Sequence, residues 1–391
     1  MATSPNHFVP AMLLIFGLLA TLSLDFTVGD VGVCYGRNGN NLLSPSQTVE
    51  LYKRRNIRKM RTYDPDQAIL DALRGSGIEL NVAITNQYLE YLASSQANAN
   101  NWVQDHVRSF PDVNFKYISV GNEVSPTNGG TSRYTQFVLP AMRNVYRAIC
   151  NAGLANRIKI STSIGMEVVG NSYPPQDGAF RDDVLPYLRP ILSFLVNTHS
   201  PLFVNVYPYF AYIYNKAQID LGYALLEPNH GIQVNGVYYD NILYAMIDAV
   251  YAAVDRVVGP SMSQNQKLRS RRHLPKVTVT TGGWPVGGRD GGDNNQTSSL
   301  RTRRPRSKTK IVVTESGWPT HGGDSASLQY ASTYNQNLID VVDDGTPANS
   351  DPIEAYIFGM YDENEKPGAD TERNFGLNYP NGQPKYDIDF N

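Results

Sequence analysis

Eight short β-branched runs, each followed by polar residues and separated by amphipathic stretches, constrain this chain more than any other feature. The runs are Val31–Tyr35, Lys59–Thr62, Glu79–Ile84, Phe115–Val120, Ile158–Ser163, Leu202–Val206, Lys310–Thr314 and Ile353–Phe358. Helix-like stretches fall between them, near Ser46–Arg55, Asp66–Arg74, Asn98–Phe110, Tyr134–Asn151, Asp183–Asn197, Asn241–Val258 and Ser325–Val342. Strands that alternate with helices form parallel sheets, because a parallel connection needs a crossover long enough to hold a helix. Eight such units predict an α/β chain folded as one (β/α)8 TIM barrel, with reactive groups at the C-terminal ends of its strands. At 391 residues and 41% hydrophobic, the chain can bury a core of that size.

One stretch breaks the alternation. Residues 259–309 carry eleven Lys and Arg against Asp290 and Asp293, a charge of +9 that leaves −11 for the rest of the chain. This basic insertion joins the sixth helix to the seventh strand. It contains Lys276–Gly288 (KVTVTTGGWPVGG), a copy of Lys310–Gly322 (KIVVTESGWPTHG) with seven of thirteen positions identical. Only the second copy has an acid, Glu315, where the first has Thr281, and only the second is followed by a helix-forming stretch. The first copy is therefore expected to stay out of the barrel. Its Gly, Ser and Asn content predicts poor order, projection from the bottom face, and exposure of the sequon Asn295-Gln296-Thr297.

Composition and termini narrow the function. A net charge of −2 excludes a chain-wide basic surface for nucleic acid. Two cysteines exclude a disulfide scaffold, and Cys34 and Cys150 are expected to be buried free thiols. Ala11–Leu24 is uncharged and Leu-rich but short for a membrane span. Residues 1–29 therefore read as a secretory signal peptide ahead of a 30–391 domain, giving a mature protein with no membrane segment. No His, Asp and Glu cluster suggests a metal and no Gly-rich phosphate loop follows a strand, so no cofactor is expected.

The chemistry lies in two glutamates. The fourth strand runs out into Val120-Gly121-Asn122-Glu123-Val124, and the seventh into Thr314-Glu315-Ser316-Gly317-Trp318-Pro319. Two carboxylates on one barrel face suit hydrolysis of a glycosidic bond: one stays protonated for the leaving oxygen, and the other is ionised for the anomeric carbon. Trp318 offers a sugar-stacking face, or alternatively an aromatic cover for the core.

With Val33-Cys34-Tyr35-Gly36, Asn40-Asn41-Leu42, Met60-Arg61-Thr62-Tyr63-Asp64, Val204-Asn205-Val206-Tyr207-Pro208-Tyr209 and Met360-Tyr361-Asp362-Glu363-Asn364, these motifs resemble plant-type glycoside hydrolase family 17. The resemblance spans about Val31 to Phe390 and excludes the insertion. It implies a retaining (β/α)8 enzyme, secreted or vacuolar, that acts on 1,3-β-glucans such as callose or fungal wall glucan, with roles in wall turnover and defence. By the same resemblance Glu315 is the nucleophile and Glu123 the proton donor, and Asn122 contacts the sugar 2-hydroxyl and the nucleophile. Tyr63 would lie near the cleaved bond, Glu363 and Lys366 would pair to tune the site, and Glu372 would complete that acidic group. Asn205 and Tyr207 are expected as substrate-binding or supporting residues, whereas Tyr209 lines the cleft or packs beneath it. A monomer located outside the cell or in its wall is expected. Two other activities fit the same residues: cleavage of 1,3;1,4-β-glucans, and glucan binding by an allergen-like protein that has lost catalysis.

Overall fold

The structure, a computed structural model, describes residues 31–270 and 309–391. Eight parallel strands close into a barrel: β1 Val31–Tyr35, β2 Lys59–Thr62, β3 Glu79–Ile84, β4 Asn114–Asn122, β5 Lys159–Gly165, β6 Leu202–Asn205, β7 Ile311–Ser316 and β8 Glu354–Ile357. Each strand pairs with its sequence neighbours, and β1 pairs with β8 to close the ring. This is the expected (β/α)8 architecture. Helices between the strands bury their apolar faces against the barrel, including Val138, Met142, Val145 and Ile149 of Thr135–Asn151 and Leu188, Ile191, Leu192 and Leu195 of Leu185–Thr198.

Local signals fix where the helices start. Ser44 caps Pro45–Arg54 in a reciprocal box with Gln47, and Asp66 accepts from the Ile69 amide at the head of Gln67–Leu73. The helix before the seventh strand differs from expectation: it runs over Ile242–Ser270, past the Gly259-Pro260 pair. The sequence pattern does not account for that continuation. The remainder of the insertion, with the first copy Lys276–Gly288 and the Asn295 sequon, lies outside the described residues, as does the proposed signal peptide. The seventh strand is built from the second copy, which brings Glu315 to its end.

An ion cluster plugs the N-terminal end of the barrel. Glu354, at the start of β8, accepts from Tyr117 at 2.9 Å and faces Lys310 at 3.1 Å, Lys116 at 3.2 Å and Lys59 at 3.4 Å. Burial alone would raise this carboxyl, but the three lysines outweigh it and hold it down at about 2. The cysteines divide: Cys34 is buried and Cys150 is exposed, which corrects the expectation for the latter. Among the described residues, no helix is long and apolar enough to cross a membrane.

Candidate active site

Both glutamates follow an irregularity at a strand end. The β4–β5 register shifts between Ser119 and Asn122, and Gly121 (φ 77°) and Glu123 (φ 50°) both take left-handed backbone. Glycine reaches that region freely, whereas a glutamate there is strained and must be held by its surroundings. The Glu123 amide donates to Ser163 O at 2.9 Å, and Thr131 Oγ1 donates to Glu123 O at 2.8 Å. Asn86 clamps the preceding residue, accepting from the Asn122 amide at 2.8 Å and donating to its carbonyl at 2.9 Å. In β7 the pairing with β6 shifts between Val313 and Glu315, and that with β8 shifts between Val313 and Ser316. A bulge re-aims a side chain that strict alternation would send to the other face. Here it sends Glu315 into the cavity.

The surroundings of the two carboxylates are opposed. Glu315 Oε1 accepts from Arg61 Nη1 at 2.5 Å and Tyr63 OH at 3.0 Å, and its Oε2 accepts from Tyr207 OH at 2.8 Å. Three donors, one of them a fixed cation, thus converge on this one carboxyl group. Glu123 Oε1 accepts from Asn205 Nδ2 at 2.8 Å. Burial, and then the negative charge of Glu315, push the Glu123 carboxyl up to about 7; Asn205 and Arg61 offset only part of this.

Arg61, which sequence reasoning quoted within a motif but did not nominate, is the hub of the site. Its side chain is fully buried and also donates to Thr314 O at 2.8 Å and Asn122 Oδ1 at 2.8 Å. Asn122 thus reaches Glu315 through Arg61 rather than directly. Asn205 joins the same network, donating to Asn122 at 3.3 Å and accepting from Thr314 Oγ1 at 2.8 Å. The available signal was a lone guanidinium inside a four-residue strand, which needs a buried partner.

A cavity of about 1710 Å³ opens over these residues and brings together Tyr63, Asn122, Glu123, Asn205, Tyr207, Glu315, Glu363, Lys366 and Glu372. Two expectations change. Trp318 does not face the cavity: it is fully buried, stacks among Tyr209, Tyr212 and Tyr334, and donates Nε1 to Ser325 O at 2.8 Å. It is a core aromatic, because the chain after the β7 bulge turns it outward into the helical layer. Lys366 pairs with Glu372 at 2.9 Å, whereas Glu363 is held by the Asn38 amide at 2.9 Å. Glu363 also occupies space that any side chain on Gly36 would fill. Tyr207 lines the cavity and Tyr209 is buried beneath it. Sequence reasoning also missed Phe358 and Phe375, whose rings stand edge-on to Tyr207 at 6.4 and 5.6 Å. Among the described residues, no group of three or more His, Cys, Asp or Glu side chains is arranged to hold a metal.

Comparison with known proteins follows the same lines. The family model "Glycosyl hydrolases family 17" matches residues 31–304 and 298–390. The chain is 43% identical over 382 residues to "Glucan endo-1,3-beta-glucosidase B" of Solanum lycopersicum, covering 97% of this chain and 92% of that one. Among solved structures it resembles CJP38, described as a β-1,3-glucanase and allergen of Cryptomeria japonica pollen. The TM-score is 0.78 at 38% identity, over 92% of this chain and 99% of that one. It also resembles one of two plant β-glucan endohydrolases described as having distinct substrate specificities, with TM-score 0.75 and 36% identity over 92% and 100% of the chains.

Proposed function

The chain belongs to glycosyl hydrolases family 17, and from that premise we propose that it cleaves internal 1,3-β-D-glucosidic linkages of (1,3)-β-glucans by a retaining double displacement. The observation that carries this reading is the opposed environment of two carboxylates in one cavity. Glu315, whose carboxylate is oriented by hydrogen bonds from Arg61, Tyr63 and Tyr207, attacks the anomeric carbon. Glu123, protonated below about pH 7, gives its proton to the departing oxygen. In the second step Glu123, now ionised, takes a proton from water as water attacks, and the bond to Glu315 breaks. Asn122 and Asn205 keep Arg61 and Glu123 in register, and Glu363, Lys366 and Glu372 supply polar groups along the cavity.

Attack within a long chain is supported by the size of the cavity, which exceeds the roughly 300–1,000 Å³ of a small-molecule pocket. The tomato relative's name supports the 1,3 linkage. Arg37 and the tyrosines Tyr173 and Tyr214 also line the cavity. Secretion to the extracellular space or cell wall rests on the Ala11–Leu24 run. A panel of purified laminarin and mixed-linkage 1,3;1,4-β-glucan tests the reading. Rapid release of oligosaccharides from laminarin is expected. Preference for the mixed-linkage polymer would assign the other linkage class, and binding without product release would assign a glucan-binding protein.

A further inference from the structure

Glu167, like Glu123 and Glu363, lines the cavity without an ion-pair partner among the described residues. Asp64 pairs with Arg37 at 2.7 Å and Glu372 with Lys366 at 2.9 Å. Asp220 accepts from the Tyr223 amide at 3.0 Å and contacts His230 at 2.6 Å, and Glu363 accepts from the Asn38 amide. Glu167 lines the same cavity, yet among the described residues no cation lies within ion-pair distance of it. It sits in the single turn Met166–Val168 that follows β5 and folds back over Gly165. A Cβ built on Gly165 would overlap Glu167 Oε2 and lie 3.3 Å from Glu123 Oε1. The missing side chain at 165 is thus what allows Glu167 to approach the proton donor.

Its position relative to the reaction follows. Glu315 is enclosed by Arg61, Tyr63 and Tyr207, whereas Glu167 adjoins Glu123. The leaving sugar begins at the oxygen that Glu123 protonates, so a group beside Glu123 meets that sugar rather than the one held on Glu315. An ionised carboxylate offers acceptors only and matches sugar hydroxyls as donors. Resting on the function proposed above, we infer that Glu167 binds the sugar on the leaving-group side, accepting hydrogen bonds from its hydroxyls. By the same contact it favours a sugar over water as acceptor in the second step. In that transfer the ester bond between Glu315 and the anomeric carbon breaks, a bond from that carbon to the acceptor oxygen forms, and the acceptor's hydroxyl proton passes to Glu123.

The groups that face Glu123 are Glu315 from β7, Arg61 from β2, Asn205 from β6 and Glu167 itself, so an effect transmitted through the proton donor must be separated from contact with sugar. Wild type, Glu167→Gln and Glu167→Ala are compared on a laminari-oligosaccharide, with the 1,3-linked disaccharide laminaribiose or methanol as added acceptor. The measured quantity is the ratio of transfer to hydrolysis. The inference expects that ratio to fall about tenfold for laminaribiose in Glu167→Ala, less in Glu167→Gln, and to stay level for methanol. An unchanged laminaribiose ratio overturns it. So does an equal fall for both acceptors with a displaced alkaline limb, which would make Glu167 a tuner of Glu123. Wild type that leaves the oligosaccharide uncleaved would instead remove the functional proposal on which the inference rests.

Discussion

At Glu123, in the proposed mechanism, a single ionisation would set the upper pH limit of catalysis. Its carboxyl is raised to about 7, so the protonated form needed for leaving-group departure prevails below that value and is lost as pH rises through it. The alkaline limb of kcat/KM is therefore expected near pH 7, and a limb set above pH 9 would show another acid at work. Glu123→Ala should slow substrates with poor leaving groups far more than activated ones, because only the former need the proton; equal losses would count against its acid role. Glu315→Ala should abolish turnover, with added azide restoring part of it by taking the carboxylate's place. Arg61→Lys keeps the charge but loses the fork that joins Glu315, Thr314 O and Asn122, and should lower kcat on the order of a hundredfold. Both glutamates were legible in the sequence because a carboxylate at an apolar strand end is conspicuous. Arg61 was less so: a lone guanidinium in Lys59–Thr62 signals a buried partner, but the strand does not tell which carboxylate that partner is. Trp318 misled for a related reason: adjacency to Glu315 in sequence says nothing about facing once a bulge intervenes.

The strands were legible as elements because β-branched runs bounded by polar residues recur eight times, and their register follows from burial on both faces. Strand ends were less so. The shifts at Ser119–Asn122 and Val313–Ser316 and the left-handed backbone at Gly121 and Glu123 leave no mark in hydrophobic patterning, yet they aim the chemistry. The duplicated strand-seven segment belongs to this scale. The helix Ile242–Ser270 and the start of β7 bracket residues 271–308, and helix-to-strand connections lie at the barrel face away from the site. Deleting 271–308 should therefore retain laminarin hydrolysis and raise the melting temperature, since it removes a sequence able to compete for the β7 slot. A folded deletion protein without activity would mean that the segment helps build the site.

Across the whole molecule, two charged centres occupy opposite ends of one barrel. The cavity carboxylates Glu123 and Glu315 sit at the C-terminal end and the Glu354 cluster at the other. Glu354 is ionised far more readily in the folded state than its ordinary value of 4.5 implies, so its contribution is present above about pH 4.5 and is lost as pH falls through about 2. That contribution is about 3 kcal/mol. Glu354→Gln should destabilise the barrel by a similar amount at neutral pH and flatten its acid unfolding between pH 4.5 and 2, as read by thermal melts across that window. An unaltered acid profile would show that the cluster is incidental to stability. Fold, site and family meet in the proposal that Glu315 and Glu123 cleave a 1,3-β-glucan with retention. It is tested most directly by following the anomeric proton of the first product released from a laminari-oligosaccharide by NMR. The account predicts that the β-anomer appears first and only then mutarotates; an α-anomer appearing first, or no cleavage by folded protein, would contradict it.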